Sequence, residues 1–301
     1  MGCIMINNID IKKFTCENYP IKKSILRESL IRLDYVDVLD LEREDLLFSI
    51  EKELQKKNFS IIKTSTIGEV KIDLKNILSL DPSINRNSTP IDFINNRKVY
   101  VFFNKDLNIY IQISPLFSYI RQKGSFVNDS PKYYGYDNLS NVIVQVLEII
   151  NQYIPLNYTR IGIRKFNSLF SSKKTTIKNA FNKLLINDIL FYPRKIKDLC
   201  NPRIEKLYNF YIDNYGVNLR NYLQVVQLKD PSGKKVDAYN FNFDIDVYTY
   251  PDLLKGDIEQ SMLKNCLNNA NNLLYSMFLW SLSEESREKL LNNKNITEID
   301  L

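Results

Sequence analysis

Residues 158–169 read Tyr-Thr-Arg-Ile-Gly-Ile-Arg-Lys-Phe-Asn-Ser-Leu, and no other stretch restricts the fold of this chain as much. At the two-residue period of a strand, Ile161 and Ile163 fall on one face. Arg160, Gly162, Arg164 and Phe166 fall on the other. A strand with one core face and two guanidiniums opposite needs acidic neighbours, a partner or a ligand for those cations.

Later in the chain, Phe241-Asn242-Phe243-Asp244-Ile245-Asp246-Val247-Tyr248 alternates in the same way. Its odd positions are apolar, and its even positions carry Asn242, Asp244, Asp246 and Tyr248. If the two strands pair, Arg160 and Arg164 share a face with Asp244 and Asp246. Such cross-strand charges contribute roughly 0.2–1 kcal/mol each when exposed, and more is at stake when the face is covered.

The rest of the pattern suggests how they come to pair. Residues 30–36 alternate as a strand, with Ile31, Leu33 and Tyr35 on one face and Arg32 and Asp34 on the other. A helix is expected over 40–57, from Leu46, Leu47, Ile50 and Leu54. Hairpins are expected at 59–63/69–74, around Gly68, and at 98–103/109–114. A helix then spans 137–153, with Val142, Val146, Ile149 and Ile150 inward.

After a strand at 158–166, the second half brings a helix at 175–185 with Ile177, Phe181 and Leu184 inward. Strands follow at 207–212, 219–228 and 239–248, with a short one at 190–192 and a turn at Pro231-Ser232-Gly233. A long helix from Asp257 to Leu279 presents Met262, Cys266, Ala270, Leu273 and Met277, and a short helix covers 284–291. The order strand, helix, three to four strands, helix thus occurs twice.

The fold class expected is α+β. Two tandem units, 24–156 and 157–301, follow an N-terminal extension at 1–23, and they can be fused in one continuous sheet. The order matches TBP-like and helix-grip folds, in which an antiparallel sheet carries its helices on one face. In that topology the first strand of each unit pairs with its last. Arg32 and Asp34, with Tyr110 and Gln112, then form the first unit's counterpart of the charged face.

Composition removes several kinds of chemistry. The 301 residues contain no histidine, which excludes Ser-His-Asp and Cys-His pairs and imidazole zinc sites. The eight glycines form neither GxGxxG nor GxxxxGK[ST], so the common phosphate loops are absent. Cys3, Cys16, Cys200 and Cys266 lie far apart and read as reduced thiols of a cytoplasmic protein, with Cys266 in the core. No apolar run is long enough to span a bilayer, no leader precedes residue 24, and Ile6 breaks the myristoylation pattern after Gly2. With 41 basic and 35 acidic residues, the net charge of +6 permits nucleic-acid binding without arguing for it.

Three readings of the Arg160, Arg164, Asp244, Asp246 set stay open: an ion-pair ladder, a recognition surface, and a magnesium-binding Asp-x-Asp pair. The last lacks the Gly-Ser element usual in nucleotidyltransferases. Tyr134 and Tyr136, with Tyr133 and Lys132, either stack on a partner's bases or pack over a core edge. Ser171-Ser172-Lys173-Lys174 is a basic turn. Asn265, Asn268, Asn269, Asn271 and Asn272 mark either a hydrogen-bonded helix interface or a genome bias, and Trp280 reads as a core plug.

Three segments resemble a sporadically distributed, uncharacterised bacterial family. Its members carry a Glu-Ala-Leu-Phe-Glu-Ile-Arg-Phe-like run, here Arg27-Glu28-Ser29-Leu30-Ile31-Arg32-Leu33. They also carry a Tyr-x-x-Trp before a helix, here Tyr134-Gly135-Tyr136-Asp137, and an Arg-Ile-Gly-Leu-Arg-Tyr-Ile-Asn motif, here Arg160 to Asn167. An Asp-Ile-Asp-Val strand before a long helix completes the pattern, here Asp244 to Val247. Lys165 replaces the motif's aromatic, and Tyr136 its tryptophan. The family's patchy distribution resembles that of accessory genes in mobile or defence islands.

The function expected is a non-catalytic, cytoplasmic binding or regulatory protein, an accessory subunit of a defence or toxin–antitoxin-like system. Its sites would be the charged face and the loops 76–96 and 122–136. A protein partner or self-association is expected, with no membrane, cofactor or metal. Nucleic-acid binding on the charged face and Mg²⁺-dependent nucleotidyl or phosphoryl transfer are the alternatives.

Overall fold

The computed structural model describes residues 25–72, 91–124, 133–186, 203–229, 235–249, 254 and 260–292. The extension at 1–23, most of both long loops, the strand expected at 190–192, the turn at Pro231-Ser232-Gly233 and the expected helix start at Asp257 lie outside them.

The protein is α+β, and its described residues build one antiparallel sheet of nine strands. In chain order the strands are β1 (Leu26–Tyr35), β2 (Ser60–Ile72), β3 (Ile91–Asn104), β4 (Ile109–Ile113), β5 (Phe117–Lys123), β6 (Tyr158–Ser171), β7 (Arg203–Ile212), β8 (Tyr215–Lys229) and β9 (Lys235–Thr249). The described helices are α1 (Glu44–Gln55), α2 (Tyr136–Tyr153), α3 (Lys174–Ala180), α4 (Lys183–Ile186), α5 (Gln260–Ser281) and α6 (Glu284–Leu291). Across the sheet the order is β2-β3-β4-β5-β1-β6-β9-β8-β7, so β1 and β6 stand side by side in the middle. β1 pairs with β5 on its other side and β6 with β9, so the strands read as charged in the sequence are neighbours.

One sheet face is apolar and lies under the helices. Ile31 and Leu33 of β1, Ile161 and Ile163 of β6, and Phe241, Phe243, Ile245 and Val247 of β9 are fully buried there. They pack with Val142, Val146 and Ile150 of α2 and with Leu267, Ala270 and Leu274 of α5. This is the alternation read from the sequence, with burial as its cause.

Four expectations are corrected. β2 runs unbroken through Gly68, which falls at a register shift between Ile67 and Glu69. The extra residue lies on β3, where Asn95 and Asn96 stand opposite the single Gly68, so the glycine faces a bulge and is not a hairpin turn. β5 was not expected, because its inward positions alternate Ser118, Ile120 and Gln122. These polar groups are buried because they are satisfied: Ser118 accepts from the Tyr35 hydroxyl at 2.6 Å, and the Gln122 amide donates to the Leu107 carbonyl at 2.9 Å. The helix expected over 175–185 is broken at Phe181, whose extended backbone bridges Leu282. The break lets the Phe181 ring sit 4.4 Å from that of Phe241 in the core. Met262 is 37% exposed, and the buried stripe of α5 runs instead through Leu263, Cys266, Leu267, Ala270, Leu274 and Met277.

Candidate functional site: the open face of the central sheet

The apolar residues of the helices join the core on one face, and the other face of β5, β1, β6, β9 and β8 collects the charged side chains. On β6, Arg164 forks onto Asp244, with Nε to Oδ1 at 2.8 Å and Nη2 to Oδ2 at 2.5 Å. Arg160 grips Asp246, its Nη2 lying 2.8 and 2.6 Å from the two carboxylate oxygens. The Asp34 carboxylate of β1 stands 3.8 Å from Arg160 on the other side and is held by Arg32 at 2.7 Å.

Arg32 lies over the Phe117 ring of β5, 4.1 Å from its centroid, and the Asn218 amide of β8 donates to Asp246 at 3.2 Å. The result is one chain of contacts, Phe117–Arg32–Asp34–Arg160–Asp246–Asn218, crossing five strands. Both forks are charge-assisted, the strong class of protein hydrogen bond.

The glycine of the Arg-Ile-Gly motif has a specific neighbour. Gly162 of β6 and Gly216 of β8 lie directly opposite Tyr248 of β9, one on each side. A Cβ at Gly162 would come 3.1 Å from Tyr248 Cβ and 3.6 Å from Arg160 Cζ, and a Cβ at Gly216 would meet the Tyr248 ring itself. The Tyr248 ring thus lies over Gly216, with Arg160 4.8 Å from its centroid. Close approach, not a positive φ, is what the two glycines supply.

Electrostatics follow from this arrangement. Burial pushes the Asp246 carboxyl above its usual value, and Arg160 and the Asn218 amide pull in the opposite direction. The hydrogen bond to Asp244 raises Arg164 further, against its partial burial. Arg164 stays cationic.

Arg32, Asp34, Arg160, Arg164, Asp244 and Asp246 therefore come together. Tyr134 and Tyr136 do not join them. The Tyr134 backbone N–H donates to Gln122 at 2.9 Å, and its ring packs on the core. Tyr136 opens α2 and donates its hydroxyl to Asn268 of α5 at 2.9 Å, and burial pushes its pKa well above the usual tyrosine value, so the hydroxyl stays protonated. Both stand on the helix side, partly buried against the core edge.

The same side answers the question posed by the asparagines. Asn268 holds Tyr136, and buried Asn271 accepts from Lys165 at 2.9 Å, so these two asparagines of α5 form a helix interface. Trp280 is buried in the core.

Other members of the open face were not singled out in the sequence: the Arg220–Glu205 ion pair between β8 and β7, and Arg121 between the Tyr110 and Tyr119 rings. Their signal was present in the alternation Gly216, Asn218, Arg220, Tyr222, the positions of β8 that point away from Val217, Leu219 and Leu223.

No family model matches this chain, and no curated protein is significantly similar to it. No helix among the described residues is long and apolar enough to cross a membrane.

Proposed function

We propose that this protein is a non-catalytic binding or regulatory protein whose open sheet face docks a protein partner. The observation that carries the reading is the Arg32–Asp34–Arg160–Asp246 chain, which pre-positions arginines among Phe117, Tyr119 and Tyr248. Arginine and tyrosine dominate the energetics of protein interfaces, and side chains already held in place lose little entropy on binding. The reading fits a cytoplasmic accessory subunit of a bacterial defence or toxin–antitoxin-like system. That part rests on the motif resemblance.

The tandem, TBP-like description belongs to the same proposal. Its support is the sheet order, in which β1 and β6 are central and each leads, through a helix, to the strands of its own flank.

Nucleic-acid binding has the same surface in its favour, because arginines and aromatics alternate on it. Against it, the carboxylates match the arginines and leave little of the net field that recruits phosphates. Magnesium-dependent transfer finds no support in the geometry, since arginines occupy both Asp244 and Asp246.

The experiment is affinity purification from the native host with nuclease treatment, comparing the wild type with Arg220→Glu. The expected result is a stoichiometric protein that accompanies the wild type and is lost from the variant. Recovery of nucleic acid alone, or the same companion with both forms, contradicts the proposal.

A further inference from the structure

The ion pairs of the open face share an asymmetry that bears on what can lie against it. In each pair the guanidinium is more exposed than its carboxylate: Arg164 44% against Asp244 7%, Arg32 39% against Asp34 17%, Arg160 29% against Asp246 18%, and Arg220 42% against Glu205 33%. The cations of these pairs present more surface than the carboxylates. An approaching molecule meets guanidinium, although the four pairs are neutral in sum.

The pairing also leaves donors over. A guanidinium carries five N–H donors, and Asp244 engages only Nε and Nη2 of Arg164. The same two nitrogens of Arg32 face Asp34. A second acceptor would therefore meet Nη1. Beside these pairs, Leu207 and Tyr211 of β7 stand 59% and 65% exposed, and Leu207 is directly opposite Arg220.

Resting on the docking reading above, we propose that the occupant of this face is an acidic protein segment, with carboxylates interleaved with aromatic or aliphatic residues. Carboxylates of the partner complete the outward edges of Arg32, Arg164 and Arg220, while its apolar residues cover Leu207, Tyr211 and the aromatic rows. Three features select this occupant. Local neutrality removes the long-range attraction on which nucleic-acid binding depends, while contact-range pairing to carboxylates survives. A second copy stacked face to face would set guanidinium against guanidinium. Exposed apolar residues at the β7 edge have no use for a purely anionic chain.

The test is calorimetric titration of the full chain with a random glutamate–tyrosine copolymer. Polyglutamate, a lysine–tyrosine copolymer and an oligothymidylate of matched length serve as comparisons. The variants are Arg32→Gln and Arg220→Gln, singly and together. In these, Asp34 keeps Arg160 nearby and Glu205 is partly exposed, and thermal melting confirms folding. The expected order is glutamate–tyrosine copolymer tightest, polyglutamate about tenfold weaker, and the other two weaker still, with about a tenfold further loss in the double variant.

Tighter oligothymidylate binding that collapses between about 50 and 200 mM salt would reassign the face to nucleic acid. Equal affinity in wild type and double variant would place the copolymer elsewhere and overturn the inference. If the copolymer fails to bind while the host partner is still lost from Arg220→Glu, docking stands and the acidic chemistry falls.

Discussion

Arg160 stands where the two flanks of the sheet meet, with Asp246 of β9 in its grip and Asp34 of β1 at 3.8 Å. Replacing it with methionine leaves a largely buried Asp246 with the Asn218 amide and the more distant charge of Arg164. An uncompensated carboxylate of this kind costs more than removal of a whole pair. Arg160→Met should therefore destabilise the protein by more than about 2 kcal/mol in urea unfolding. A change near zero would mean that the chain of ion pairs holds nothing together.

At this scale the sequence was legible where strand period alone decides the face. The alternation of 241–248 put Asp244 and Asp246 opposite the core residues, and the pairing of β6 with β9 did the rest. Tyr134 and Tyr136 were ambiguous because a tyrosine's ring and hydroxyl suit either a stacking surface or a wet core edge. Only the partners, Gln122 and Asn268, decide.

At the scale of elements, the contact of α5 with β6 contains a cost. Lys165 lies on the helix side of β6, between Ile163 and buried Asn167, and its ammonium donates to Asn271. Burial lowers its pKa to about 8, partly countered by Asp137 at the start of α2. The unfolded chain, whose lysine titrates near 10.5, binds more protons between these values, so the lysine's contribution to stability should rise with pH across that window. Below about pH 8 the full cost of the buried cation is present. Burial also raises the Cys266 thiol and the buried tyrosines, which pulls stability down as pH rises. Between pH 7.5 and 9.5, urea midpoints should therefore fall in Lys165→Met, and the wild-type profile should run upward relative to it. At pH 7 the variant should gain on the order of 1–2 kcal/mol. A wild-type profile parallel to the variant's would show that the ammonium is hydrated.

Element boundaries were readable where the period was unbroken, as in α2 and α6, while β6 runs on past Phe166 to Ser171 and β9 starts already at Lys235. They were lost where a local exception serves the packing. Gly68 reads as a turn but faces a bulge of β3, the inward Ser118 and Gln122 of β5 hide its alternation, and the kink at Phe181 depends on core rings remote in sequence.

For the whole molecule, the antiparallel sheet and its one apolar face were foreseeable. What the open face does depends on relations between strands far apart in the chain. The close approach of Gly162 and Gly216 to Tyr248, and the ion pairs whose cations are the more exposed partners, exist only once β5, β1, β6, β9 and β8 are side by side.

The central claim is that this face, and not the helix layer, is the docking surface. Arginine labelling with phenylglyoxal, read by mass spectrometry on the protein with and without its re-purified host partner, tests it most directly. Arg32, Arg164 and Arg220 should react readily in the free protein and slow together in the complex, while Arg43 and Arg287 of the helix layer keep their rates. Protection of Arg43 and Arg287 with Arg32, Arg164 and Arg220 unchanged would contradict the account.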